Sequence, residues 1–150
     1  MAFKDKTKNP FIEDRDTNVF IGIDLPFRKS DGPDGWFAST TTTIEAVKNN
    51  IRNFLQTELG DRLFQPQLGI GLRKYIFEPI TPDTLIIIQD DILDRFNVWM
   101  PFVEIRDIKV KSGDSNSEEN IGKNQISIII DFNIKQDPNT LTSVQVNLVE

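Results

Sequence analysis

The stretch from Gln125 to Lys135 constrains this chain more than any other. Ile126, Ile128, Ile130, Phe132 and Ile134 alternate with Gln125, Ser127, Asp131 and Asn133, and only Ile129 breaks the pattern. A period of two puts the apolar members on one side of a strand and the polar members on the other, so the segment reads as a half-buried β-strand. After a turn expected at Asp137-Pro138-Asn139, Val144, Val146 and Leu148 alternate with Ser143, Gln145 and Asn147, which predicts a second strand over Thr142 to Val149. Upstream, Val103 and Ile105 share one parity while Ile108 and Val110 share the other. A regular strand cannot bury all four, and a β-bulge near Arg106-Asp107 returns them to one face. The three strands form an antiparallel meander with one wet face. The polar run Ser112 to Asn124 predicts a mobile connection inside it.

A sheet with one apolar face needs a covering layer, and the sequence supplies helices. Thr42 and Glu45 stand at capping-box spacing, and Ile44, Val47, Ile51, Phe54, Leu55 and Leu59 recur at helical period up to a stop at Gly60. Thr81-Pro82-Asp83 announces a second helix with the stripe Leu85, Ile88, Ile92, Phe96 and Trp99, ended by Pro101. Between them a punctuated loop leads to a short helix, Leu72 to Phe77, stopped by Pro79, with Phe77 expected in the core. Nearer the start, Val19 to Phe27 has strand content, Ser30 to Gly35 is a loop, and Trp36 and Phe37 are expected to return to the core. The reading is an α+β fold: two main helices and a short one on one face of a largely antiparallel sheet. Residues 1–18 form a flexible or partner-ordered arm, and residues 19–150 form a single domain.

Composition then removes most chemistry. There is no His and no Cys, so disulfides, imidazole or thiolate zinc sites, Ser-His-Asp triads and thiol nucleophiles are unavailable. The acids match no EF-hand spacing, and no metal or cofactor site is expected. A net charge of −6 with scattered Lys and Arg opposes a phosphate-binding surface, and no apolar run reaches membrane-spanning length, so neither nucleic acid nor membrane is an expected partner. The rival class is a glycosidase, which needs two carboxylates astride the scissile bond. Glu78 beside Phe77 is the best acid, with Glu58, Asp61 or Asp83 as mates, whereas Asp90 and Asp91 point apart on their helix.

In order along the chain, several segments resemble the family of phage baseplate wedge proteins, with relatives in contractile injection systems and type VI secretion. The carrying residues are Gly22-Ile23-Asp24-Leu25-Pro26-Phe27, the helix from Ile44, Gly60-Asp61-Arg62-Leu63-Phe64-Gln65-Pro66-Gln67-Leu68-Gly69, Leu72 with Ile76-Phe77-Glu78-Pro79, and the helix closing at Trp99-Met100-Pro101. The resemblance implies a structural, non-catalytic virion subunit in six copies at the bottom of a contractile tail, which joins wedge proteins and templates the first ring of sheath protein. Members often carry Glu-Pro-Arg where this chain has Met100-Pro101-Phe102, which replaces a charged contact with an apolar one. Arg62, Glu78, Met100 and Phe102 are therefore candidate wedge contacts, although Arg62, Pro66, Gly69 and Gly71 also suit a role in fixing an irregular loop. Thr142 to Val149 lacks Lys, Arg and Pro, which suits either a central strand or an open edge. In the second case Val144, Gln145, Val146, Asn147 and Leu148 would receive a sheath strand by β-augmentation.

Overall fold

The computed structural model describes residues 11, 14, 19–30, 35–78, 81–112 and 125–149. Apart from Phe11 and Asp14, the expected N-terminal arm lies outside the described residues, as do Asp31 to Asp34, Pro79, most of the Ser112–Asn124 connection and Glu150. The chain divides into two compact units, Met1–Asn50 and Ile51–Glu150.

In the first unit, β1 (Gly22–Ile23) pairs antiparallel with β2 (Ser39–Thr40) in the register Gly22↔Thr40 and Ile23↔Ser39. The strand expected over Val19 to Phe27 is cut to these two residues. The amide of Asp24 still reaches the Ala38 carbonyl at 2.9 Å, but Pro26 has no N–H to give, and pairing resumes only where Ala38 donates to Arg28. Trp36 and Phe37 do not return to the core: they are 68% and 50% exposed. So short a ladder buries neither of them. Phe37 lies 5.7 Å from the Phe27 ring, and the Lys29 ammonium sits 5.0 Å over Trp36. Beneath this hairpin, buried Asn49 donates to the Ile23 carbonyl and to Asp24. The Arg28 guanidinium paired with Asp24 holds that carboxyl below its ordinary range.

α1 (Thr43–Gln56) opens on two caps. The Thr42 hydroxyl accepts from the Glu45 amide at 3.4 Å, and Asp14 accepts from both the amide and the hydroxyl of Thr43 at 2.7 and 2.8 Å. The helix ends four residues before Gly60, the expected stop, because the Thr57 hydroxyl donates to the Asn53 carbonyl at 2.6 Å and satisfies one of the orphan acceptors early. Leu59 thus leaves the stripe and is half exposed.

In the second unit, Ile51, Phe54 and Leu55 of α1 are buried, and Phe54 meets Phe96 edge-on at 5.3 Å. Phe96 belongs to α2 (Pro82–Trp99), whose Thr81 cap accepts from the Thr84 amide. Ile88, Ile92 and Phe96 are its buried stripe. The sheet runs in the order β3 (Val103–Ser112), β4 (Gln125–Ile134), β5 (Asp137–Val149), antiparallel throughout. The register shifts between Ile105 and Asp107, so Arg106 is the extra residue, and Val103, Ile105, Ile108 and Val110 all oppose the apolar side of β4. The opposite face carries a polar network in which Asn133, fully buried, accepts from Arg106 at 2.7 Å and donates to Glu104 at 3.1 Å. The β4–β5 turn lies at Lys135-Gln136, not at Asp137-Pro138-Asn139. Those turn formers fall instead where the pairing jumps from Ile134↔Asp137 to Phe132↔Thr142, an irregularity suited to a proline without an amide.

The 3-10 helix Leu72–Phe77 buries Leu72, Tyr75 and Ile76. Phe77, expected in the core, is 73% exposed. With three residues per turn, Leu72 and Tyr75 share one side and the helix's last residue turns off it. The Tyr75 hydroxyl donates to Asp91, and burial, reinforced by that carboxylate, raises its pKa above the ordinary phenol. Since the folded value lies above the free value of about 10, this contribution to stability is complete below that pH and is lost as the pH rises through the folded value. Tyr75 is the only tyrosine, so an alkaline titration followed by phenolate absorbance reads it alone. The midpoint should lie above that of free tyrosine and move down in Asp91→Asn; an ordinary midpoint in the wild type would show the hydroxyl to be solvated.

Candidate partner-binding surfaces

β4 is central in the three-stranded sheet, which leaves β3 and β5 as its two edges. They are built differently. Along β3 the pairing is interrupted by the bulge at Arg106, the charges of Arg106, Asp107, Lys109 and Lys111 line the strand, and the Gln89 side chain of α2 donates to the Ile108 carbonyl at 3.1 Å. Each of these features hinders an added strand. From Leu141 to Val149, β5 contains no charge, no proline and, beyond Thr142, no shift in register. Val144, Val146 and Leu148 are 1%, 4% and 7% exposed and serve this chain's own core. Another strand would therefore meet the backbone edge together with exposed Gln145 and Asn147, not three free apolar anchors. Those two amides are held on the polar face, where Gln145 donates to Ser127 and to Asn147, and Ser127 donates to Asn147.

The four other candidate residues occupy separate elements of the same unit. Arg62 is exposed in the loop after α1, Glu78 is exposed just past the 3-10 helix, and Met100 and Phe102 flank the end of α2. The corner at Met100–Phe102 is well pinned: the Met100 amide donates to Phe96 at 2.8 Å, Val103 donates to the Met100 carbonyl, and Lys135 donates to the Phe102 carbonyl, both at 3.0 Å. Met100 is half-buried, and Phe102 is 44% exposed, which lets it meet a partner. In Phe102→Arg the new guanidinium can reach water, so the melting temperature of the free protein should change little. A large drop, of the kind that follows burial of an unpaired charge at about 3–5 kcal/mol, would show Phe102 to be core.

Sequence reasoning passed over Leu63 and Phe64, which the structure leaves 92% and 99% exposed. The available signal was an apolar pair set between Asp61-Arg62 and Gln65-Pro66 and belonging to neither helical stripe. Elsewhere in this unit a cavity is lined by Gln56, Glu58, Arg73, Ile76, Asn147 and Leu148. Its one carboxylate, Glu58, accepts from the Arg73 amide at 3.2 Å, and Asp61 accepts from the Glu58 amide at 3.0 Å. Glu78 and Asp83 are exposed and do not line it. Among the described residues no three acids gather as a metal-binding group, and no helix is long and apolar enough to cross a membrane.

With the three-stranded meander, the two helices and the loop between them in place, the sequence was compared with known families. The model of the baseplate wedge protein gp25 family matches residues 41–139, from the start of α1 into β5. The chain belongs to that family. Membership gives it a structural role in a tail baseplate. Solved structures share the fold. A chain of the anti-feeding prophage baseplate, in a six-fold symmetrised cryo-EM structure, is 23% identical with a TM-score of 0.60, covering 78% of this chain and 86% of that one. A provisionally named tail lysozyme from Geobacter sulfurreducens is 20% identical with a TM-score of 0.59, covering 72% and 91%. A chain of the type VI secretion baseplate complex is 14% identical with a TM-score of 0.52, covering 71% and 93%. No curated protein sequence matches significantly.

Proposed function

We propose that this wedge-family subunit initiates the sheath: a strand of tail sheath protein adds to the open edge of β5, while Arg62, Glu78, Met100 and Phe102 meet neighbouring wedge proteins. The subunit acts in six copies, is assembled in the host cytoplasm, and works as a single domain over residues 19–150. It does so without catalysis. The observation that carries the reading is the contrast between the two edges of one sheet, β3 bulged, charged and capped by Gln89, β5 regular and uncharged from Thr142 to Val149. An edge left unguarded is an aggregation hazard unless a partner occupies it, and main-chain hydrogen bonds along it would supply much of the affinity.

Prolines at Gln145 and Val146 test this, because successive amides point to opposite sides of a strand and proline removes one from each set. The variant that loses the outward amide should fold and melt near the wild type yet fail to start sheath polymerisation in a reconstituted assay. The other should unfold, more so at Val146, whose side chain is core. If both unfold, or both still start sheath, the open edge has no such role.

The name of the Geobacter relative keeps hydrolysis as a second reading. Two-carboxylate hydrolysis asks for a mate to Glu58 across the cavity, or to Glu78 outside it. Cell-wall clearing by the purified wild type that disappears in Glu78→Gln would favour the enzyme.

A further inference from the structure

The loop from Thr57 to Gly71 is a rigid frame around an apolar tip. Gly60 donates to the Pro66 carbonyl at 2.8 Å and closes the loop into a ring, inside which Gln65 donates to Arg62 at 3.1 Å. The base is fastened by Ile70 to the Thr57 carbonyl, by Arg73 to the Glu58 carboxylate and by Arg95 to the Gln67 carbonyl, the three bonds falling between 3.2 and 3.3 Å. A scattered exposed Leu or Phe needs no explanation. Two adjacent ones at 92% and 99% exposure, on a ring whose closure prevents them folding back, are different: the frame holds them in water. The charges around them are also sorted. Glu58 and Asp61 turn carboxylate oxygens to amides of the frame, whereas Arg62 makes no ion pair among the described residues and is exposed beside the tip.

We infer that Leu63 and Phe64 form a preorganised knob that inserts into an apolar socket on a neighbouring baseplate protein of different sequence, with a carboxylate at the socket rim to meet Arg62. The inference rests on the wedge-joining reading and gives it an anchor. A rigid aromatic loses little entropy on docking, and a cation at its border sets register and favours an acidic rim over a basic one.

The test uses the full chain co-expressed with the wedge proteins of its own tail. Phe64→Ser should melt with the wild type, since the ring touches little of its own chain, but bind the wedge roughly tenfold to a hundredfold more weakly, the loss expected for one buried aromatic. Phe64→Leu should restore most of the binding, and Arg62→Gln should weaken it less and flatten its salt dependence. A photoreactive phenylalanine analogue at position 64, irradiated in purified baseplates, should cross-link to a different chain beside apolar and acidic residues. Undiminished binding by Phe64→Ser overturns the socket alone, and cross-linking between two copies of this chain overturns the partner assigned here. Failure of the wild type to join the wedge overturns the parent reading and the socket with it.

Discussion

Gly69→Ala should lower the melting temperature by roughly 6 °C or more, at the 2–4 °C per kcal/mol usual for a chain of this length. Two costs coincide at this position. Its φ of 111° is a conformation that side chains rarely adopt, worth about 1–3 kcal/mol in a non-glycine residue. An added Cβ would also stand 2.4 Å from the Thr57 carbonyl oxygen and 2.9 Å from its carbon, and neither backbone atom can move without disturbing the Ile70 bond to the same carbonyl. Gly60 isolates the second cost. It has a similar φ of 94°, but a Cβ there meets nothing within 4 Å, so Gly60→Ala should lose only the conformational part. Equal melting temperatures for the two variants would mean that the close approach at Thr57 does not exist in solution. The same experiment bears on partner binding: a loop pushed off Thr57 no longer aims Leu63 and Phe64, and Gly69→Ala should lose wedge affinity even at temperatures where it stays folded.

The sheet was legible because its signal is local and redundant. Alternation along β4 and β5 states which face is buried, and the parity conflict between Ile105 and Ile108 has one economical solution, the bulge that the structure places at Arg106. The caps at Thr42 and Thr81 were legible for the same reason, since donor and acceptor lie three residues apart. What failed depended on partners distant in sequence or on the supply of covering layers. Asp14 caps a residue 29 positions away, and no pattern around Thr43 announces it. Trp36, Phe37 and Phe77 are apolar, and composition alone sent them inward, but a two-residue ladder and the last position of a 3-10 helix offer them nothing to lie under. The α1 stop was misplaced because a side-chain hydroxyl at Thr57 competed with the glycine that usually ends a helix. At the candidate site the absence of charge from Thr142 to Val149 could be read, yet whether the strand was central or marginal could not. Strand order decides that, and the charges of β3 were its sequence clue, visible but not weighed against β5.

The side-chain parity of β4 gives the other large effect, and the contrast lies within four residues. Phe132 and Ile130 are fully buried on the helix-covered face, opposite Ile105 with Thr142 and opposite Ile108 with Val144. Ile129, the one break in the alternation, lies on the polar face between Lys109 and Gln145 and is half-buried. Phe132→Ala empties an aromatic volume from a central strand flanked on both sides, where neighbouring backbones are held by ladder bonds and cannot collapse into the gap. A loss of about 3–5 kcal/mol is expected, enough to lower the melting temperature by roughly 10 °C or more. Ile129→Ala removes a side chain that water already reaches, so its loss should stay near 1 kcal/mol. Equilibrium unfolding in urea separates the two, since a change of midpoint at constant slope reports stability alone. If Ile129→Ala proves as costly as Phe132→Ala, a second layer covers the polar face, and that face rather than the β5 edge becomes the place to look for a bound partner. If both are mild, β4 is not the central strand, and the assignment of β5 to an open edge falls with it.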